Sequence, residues 1–406
     1  MTEFVQVARQ PIIDASNATY GYELLHREGE NNAANPALTH RLMSAQVMLS
    51  VFNLIGRERA VGDSLAFFNI SPAFLMTDII ETFRPDQCVF EIAANEPLRH
   101  NEIAKLKILY DNGYRFALDN FIVSANTITQ YENVLPYISY LKIDIQNSDV
   151  EQVAEYAGVL KKNHKLIAQK VETIDEFSAY QSLGFDYFQG YYIQHPVPVK
   201  HYRLEPKQIG VSRLYKMLDT VPFHEFAKEF ERHNELTIQF FQYLISTGIK
   251  RYDATRSVRA MIMDIGPDVM RRWFMLIIYA KGGADISVEK GPFSRFFEER
   301  IDLMNTIVSN VHSADPERRS DELRLLAVFS TLIDIYQIPF DTLMASFEIT
   351  KNLEKWIAAR KGRFSLLYKA VNQLQHKPLD IEKVNRVLKA FKTDYDEVSV
   401  KMDHRV

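Results

Sequence analysis

The chain is predicted to fold as an eight-stranded (β/α)8 barrel that opens with one antiparallel strand, followed by an all-helical second half. Three observations support this. Short β-rich runs recur eight times up to about residue 195, and the later ones are separated by amphipathic segments of helix length. Only DASNAT (14–19) separates the first two runs, a turn-rich link too short for the crossover helix that a parallel pair requires. Beyond about residue 206 strand signals nearly vanish, and apolar residues recur at the helical period.

In chain order the expected strands are FVQVARQ (4–10), YGYELL (20–25), SLAFFNI (64–70), CVFEI (88–92), RFALDN (115–120), YLKID (140–144), LIAQKV (166–171) and FDYFQGY (185–191). Pro97 to Asn112 and Val150 to Asn163 each have room for one helix. HPVPVKHYRLEP (195–206), with three prolines, reads as an exposed connector between a barrel over 1–200 and a helical domain over 207–395. Helical segments then follow in series, among them FHEFAKEFERH, ELTIQFFQYLIS, PDVMRRWFMLIIYA, FFEERIDLMNTIVSNVH and LRLLAVFSTLIDIY. Gly266-Pro267 suits one helix ending at glycine and the next opening on proline. HSADPERRSDE (312–322) is expected as a charged loop, and KMDHRV as a fraying end.

Composition removes several functional classes. Of the 406 residues 47% are hydrophobic, enough apolar surface to offset chain entropy, so disorder is not the main state. Lysine and arginine total 48 against 52 aspartates and glutamates, with no long basic block, which demotes nucleic acid as a partner. The longest apolar run of the second half, Trp273 to Ala280, is far short of the ~20 residues that span a bilayer, so no membrane is expected. The single cysteine, Cys88, can form no intramolecular disulfide, and a cytoplasmic location is expected. Cys88 lies in an apolar strand and reads as inert.

In such a barrel the chemistry sits where strands end. The residues there are Glu23, Asn69, Glu91, Asp119, Lys142, Asp144, Gln169, Glu172 and Gln189. Carboxylates converging with an amide oxygen are hard ligands of the kind that hold magnesium or manganese beside a phosphate.

Taken together, these segments resemble the EAL domain family, the cyclic di-GMP phosphodiesterases, over roughly residues 4–200. ELLHR (23–27) is similar to the ExLxR signature, FFNIS to the asparagine-bearing strand, FEI to the start of FEITE, and ALDN to ALDDFG. YLKID matches the KID strand, IAQKVET matches AEGVET, and FQGYYIQHPVP matches QGYxxxxPxP. The helical half resembles the HDOD domain, notably over 235–280, and EAL followed by HDOD is a known order.

The resemblance assigns a first metal to Glu23, Asn69, Glu91 and Asp119, all present here. The second metal and the attacking water depend on positions that here are Asn120 and Gln169, and the last glutamate of FEITE is Ala94. A neutral amide neither offsets a second dication nor accepts a proton from water, so two-metal hydrolysis should be badly impaired. Glu172 is the only nearby carboxylate in sequence that could serve as a substitute base. The loop usually written DFGTG is NFIVS (120–124), so the geometry that links dimer and metal site in the family should differ, and a homodimer stays open. Arg27 matches a phosphate-contacting arginine, Gln189 matches a guanine-side contact, and Lys142 is retained.

The second half holds six of the eleven histidines and no His-Asp doublet, so these read as surface or packing residues, not metal ligands. The expectation is a signalling protein of bacterial type. It would have a degenerate barrel that senses cyclic di-GMP or is a relic, one residual site for magnesium or manganese, and an HDOD half that binds a protein partner. Two readings remain beside it: an active phosphodiesterase releasing the linear dinucleotide, and a scaffold without nucleotide binding.

Overall fold

A computed structural model describes residues 3–27, 40–95, 97–202, 208–248, 250–280, 316–334, 338–351, 354 and 357. The expected helix FFEERIDLMNTIVSNVH and the terminal KMDHRV lie outside these residues. The chain divides into two compact units, Thr2–Arg203 with Arg272–Ala284, and Leu204–Arg271 with the chain from Asp285 onward. No helix among the described residues is long and apolar enough to cross a membrane.

The first unit is the closed eight-stranded barrel. Its strands are β1 (Glu3–Asp14), β2 (Thr19–His26), β3 (Leu65–Ile70), β4 (Cys88–Ala93), β5 (Arg115–Phe121), β6 (Tyr140–Asp144), β7 (Lys165–Gln169) and β8 (Tyr187–Gln189). Strands β2 to β8 are parallel neighbours in sequence order, and β1 runs antiparallel between β8 and β2, closing the ring. The short link after β1 permits nothing else: Asp14 caps the turn by accepting from the Ser16 and Ala18 amides, at 2.8 and 3.0 Å.

One segment departs from the sequence reading. The proline-rich stretch expected as an exposed connector contains a ninth strand, β9 (Val197–Tyr202), antiparallel to the first part of β1. Pro198 is tolerated because β9 pairs on one side only, so a missing amide hydrogen costs the ladder little. β1 offers a pairing edge that turn composition does not reveal.

Side-chain alternation fills the barrel in layers. One layer is Ile12, Phe67, Val89, Ala117, Tyr140 and Ile167, with Tyr20, Leu65 and Tyr187 packed against it. Tyr20 stacks on Tyr187 with ring centroids 3.8 Å apart and shares a hydrogen bond with Tyr140 at 2.6 Å. Gly21 also faces inward: a Cβ there would lie 2.6 Å from the Phe67 ring, so its bare backbone makes room for that phenyl group. Two residues further along each parallel strand, the same alternation presents Glu23, Asn69, Glu91, Asp119, Lys142, Gln169 and Gln189 to the barrel mouth.

The second unit is mainly helical. Helices span Gln208–Thr220, Phe223–Phe230, Asn234–Thr247, Val258–Ile265, Pro316–Asp334 and Phe340–Ser346, and the helix Pro267–Ala280 crosses the division between the units. Gly248 ends one helix in the left-handed conformation at φ 55°, and Gly266 precedes the proline that opens another, as the sequence suggests. Phe241, Phe329 and Phe347 form a three-ring cluster with centroid separations of 5.3 to 5.8 Å.

Two expectations for this half need correction. From Pro316 the supposed charged loop is helical, with proline in the first turn, where no amide donor is needed. The half is also not purely helical, because Tyr252–Asp253 pairs in parallel with Phe347–Glu348.

The end of the barrel sets a stringent packing condition. The Val171 amide donates to Gln189 O and the Tyr192 amide donates to Val171 O, both at 3.0 Å, drawing the chain after β7 against the chain after β8. A Cβ at Gly190 would then stand 2.1 Å from Val171 O and 2.3 Å from Val171 N. Gly190→Ala should therefore lower stability by about 3 kcal/mol or more, since rigid backbone cannot move aside as a core side chain does. Thermal or urea denaturation of the full chain measures this.

Candidate functional site

At the barrel mouth four strands aim charged side chains at one point. Lys142, with its side chain fully buried, places Nζ 2.9 Å from Glu23 Oε2, 2.7 Å from Glu91 Oε1 and 3.2 Å from Asp119 Oδ1. Glu23 is further held by Asn69 Nδ2 at 2.8 Å and by Gln189 Nε2 at 2.6 Å. Gln189 Nε2 also donates to Gln10 Oε1 at 3.1 Å, and Gln10 donates onward to Gln194 O at 3.0 Å.

One buried cation facing three buried carboxylates leaves excess negative charge, and the groups respond unequally. Burial opposes ionisation of Glu23, but Lys142, Gln189 and Asn69 together hold its carboxyl below the ordinary range. Burial pushes Glu91 well above that range, and the Glu23 charge pushes it further. Asp119 is raised by burial against the pull of Lys142. Burial alone would favour neutral Lys142, yet the carboxylates around it raise its pKa well above the ordinary value. The ammonium is thus the electrostatic keystone. Both Glu91 oxygens and Asp119 Oδ1 are buried with no aligned hydrogen-bond donor.

The two positions where the family pattern has carboxylates form a closed pair. Gln169 Nε2 donates to Asn120 Oδ1, and Gln169 Oε1 accepts from the Asn120 amide, both at 3.3 Å. Asn120 Nδ2 then donates to Asp119 Oδ2 at 2.7 Å. The side-chain hydrogens that a carboxylate lacks are used to bind the neighbours. Asn120 sits at φ 54°, a left-handed conformation that asparagine tolerates better than most residues. Ala94 contributes only its backbone amide, donated to Asp119 O at 2.7 Å.

Above these groups opens a cavity of about 780 Å³, within the range of small-molecule and cofactor sites. Glu23, Asn69, Asp119, Asn120, Gln169, Glu172, Gln189 and Arg27 all contribute to its wall. Arg27 is half-buried; its Nη1 donates to His26 O at 2.7 Å, and its Nε has no partner among the described residues. Among the described residues no three His, Cys, Asp or Glu side chains stand at the mutual spacing of a metal cage. Lys142 fills the centre that the carboxylates share.

The sequence-based candidates come together, apart from Ala94 and Asp144, which lie outside the wall and the Lys142 cluster. Two residues escaped the strand-end reading. Gln10 lies on the antiparallel strand, whose mouth residue comes before its core residue Ile12 instead of after it; its pairing with Glu23 is the signal. Lys170 follows β7 at φ 65°, where a non-glycine residue costs about 1–2 kcal/mol. The alignment of IAQKVET with AEGVET places it at the motif's glycine, and that was the available clue. Its ammonium pairs with Asp144, which also accepts from the Gln146 and Asn147 amides and from Asn147 Nδ2.

A family model described as the EAL domain matches residues 4–196. These residues are an EAL domain. The chain is 23% identical over 366 residues to "Cyclic di-GMP phosphodiesterase CdgJ" of Vibrio cholerae, covering 89% of this chain and 82% of the relative. It is 26% identical over 339 residues to "Uncharacterized protein YuxH" of Bacillus subtilis, covering 81% and 80%. Both alignments are longer than the barrel and extend into the helical half. Among solved structures, the FimX EAL domain of Pseudomonas aeruginosa bound to c-di-GMP matches at 19% identity and TM-score 0.38, covering 47% of this chain and 90% of that one.

Two outcomes follow from the electrostatics. Lys142→Met should destabilise the barrel by about 3–5 kcal/mol at pH 7, because it strands three carboxylates in a dry site; denaturant unfolding reads the loss directly. Asp144 titrates below its ordinary 3.8 because the Lys170 and Asn147 bonds outweigh its burial. Its stabilisation is present above the unfolded value and lost as pH falls through the depressed folded one. Asp144→Asn should thus cost about 1–2 kcal/mol at pH 7. Stability curves of variant and wild type should converge below pH 3.8.

Proposed function

We propose that this protein is a cyclic di-GMP receptor in which the EAL barrel binds the nucleotide without hydrolysing it at enzymatic rates. The observation that carries this reading is the Asn120–Gln169 pair. Two-metal phosphodiester hydrolysis requires ligands that balance a second dication and a group that takes a proton from water. Here both positions are uncharged and bonded to each other, while Arg27, Lys142 and Gln189 remain in the cavity or beneath it.

A single divalent cation would have to take the place of the Lys142 ammonium, which fills the centre the three acids share. Glu23, Asn69, Glu91 and Asp119 would hold it, and their carboxylate and amide oxygens are the hard donors that magnesium or manganese prefers. Such an ion would supply charge to offset a phosphate. Arg27 would meet a phosphate with its guanidinium fork, and Gln189 would present its free Oε1 on the guanine side. Glu172 lies on the cavity wall, but it is exposed and separate from the carboxylate cluster, which makes it a weak substitute base.

The helical half is read as an HDOD interaction module for a protein partner on its resemblance over 235–280. The phosphodiesterase reading is favoured by the names of three relatives, from Vibrio cholerae, Escherichia coli and Shewanella oneidensis. The closed amide pair counts against it here.

Incubation with cyclic di-GMP and magnesium or manganese, followed by chromatography, should yield negligible linear dinucleotide. Turnover at an ordinary enzyme rate would overturn the proposal. Asn120→Asp with Gln169→Glu should raise hydrolysis more than either change alone. In calorimetry the wild type should bind the nucleotide, more tightly with magnesium. Arg27→Ala should weaken binding by about 1.5–3 kcal/mol, a charge-assisted bond.

A further inference from the structure

Lys170 occupies a place whose cost the fold alone does not explain. Its backbone is left-handed at φ 65°, a shape that glycine adopts freely and lysine does not. Its ion pair with Asp144 is one of several ties on that carboxylate, which also accepts from the Gln146 and Asn147 amides and from Asn147 Nδ2. The lysine side chain is 42% exposed, whereas that of Asp144 is 4% exposed, so the ammonium can leave its partner for the cavity at modest cost.

The cavity's charge supplies the reason. Its wall carries three acids, Glu23, Asp119 and Glu172, and its arginine and lysine side chains are Arg27 and Lys170. Lys170 directly follows Gln169, beside the neutral pair that offers no anchor for a second dication. A bis-phosphate ligand entering this space meets one guanidinium from the end of β2 and one ammonium from the end of β7. These strands lie three places apart around the ring, with β8 and β1 between them.

We propose that Lys170 is a phosphate-binding residue of this barrel, whose ammonium leaves Asp144 to neutralise the second phosphate of a cyclic dinucleotide. The inference rests on the receptor reading above and deepens it. Arg27 and Lys170 then serve one phosphate each, a protein cation taking the part that a second metal would otherwise play. Lysine suits this task as a mobile point charge on a long stem.

The test is calorimetric titration of the full chain with cyclic di-GMP in magnesium, with thermal melts as the folding control. Lys170→Gln keeps the backbone requirement and removes the charge; it should weaken binding about tenfold and make it less sensitive to salt. Lys170→Arg should stay near wild type. Asp144→Asn releases the ammonium and should leave affinity unchanged or raised. If the lysine matters only through its pair with Asp144, Lys170→Gln and Asp144→Asn will weaken binding alike, and the proposal fails. It also fails if Lys170→Gln binds as wild type does. Should Lys170→Gln not fold, a weakened Asp144→Asn still overturns the proposal and a tightened one still supports it. Absence of wild-type binding in any metal is a separate result, which removes the receptor reading itself.

Discussion

The barrel mouth depends on one buried ammonium. Without Lys142 the alternation of the strands would deliver Glu23, Glu91 and Asp119 to a dry, shared space with nothing to offset their charge. The cost of such an arrangement, several kcal/mol, is comparable to the whole stability of a domain. Layers of Phe67, Val89, Ala117 and Tyr140 below it fix the strand ends, so the acids cannot spread apart to relieve the repulsion. Lysine at the end of β6 is therefore a condition of the fold as much as of any ligand chemistry.

Around that centre the site balances its remaining charge in two ways. Where carboxylates are retained, Glu23 is bound by Lys142 and two amide donors, and Glu91 is pushed toward its neutral form by burial. Where they are replaced, Asn120 and Gln169 use the hydrogens of their amides to bind each other and Asp119. An amide has nearly the shape of a carboxylate but carries no charge, and here the two amides complete a hydrogen-bond network. That is the physical basis for treating the cavity as a place where a nucleotide is held.

Much of this was legible in the residues. The period-2 pattern of YLKID, FFNIS and FEI placed the inward side chains, and the shortness of DASNAT fixed the antiparallel start, because no crossover fits in six residues. Gln10 was missed since the strand-end rule assumes a parallel strand, and β1 presents its mouth residue in reverse order. β9 was missed because prolines weigh against a strand, while an unpaired edge on β1 tolerates them. The helix from Pro316 was hidden by its charged first turns, which have the composition of a loop. The closed form of the Asn120–Gln169 pair was also out of reach: sequence shows that two charges are lost, but only the left-handed turn at Asn120 brings the two amides together.

On the proposed receptor function, the carboxylate cluster holds at most one divalent cation and the amide pair none. Manganese titration of the full-length protein saturated with cyclic di-GMP, with free manganese followed by electron paramagnetic resonance, counts the sites directly. The account predicts no more than one bound ion per chain, displaced by magnesium. Two tightly bound ions per chain would contradict it.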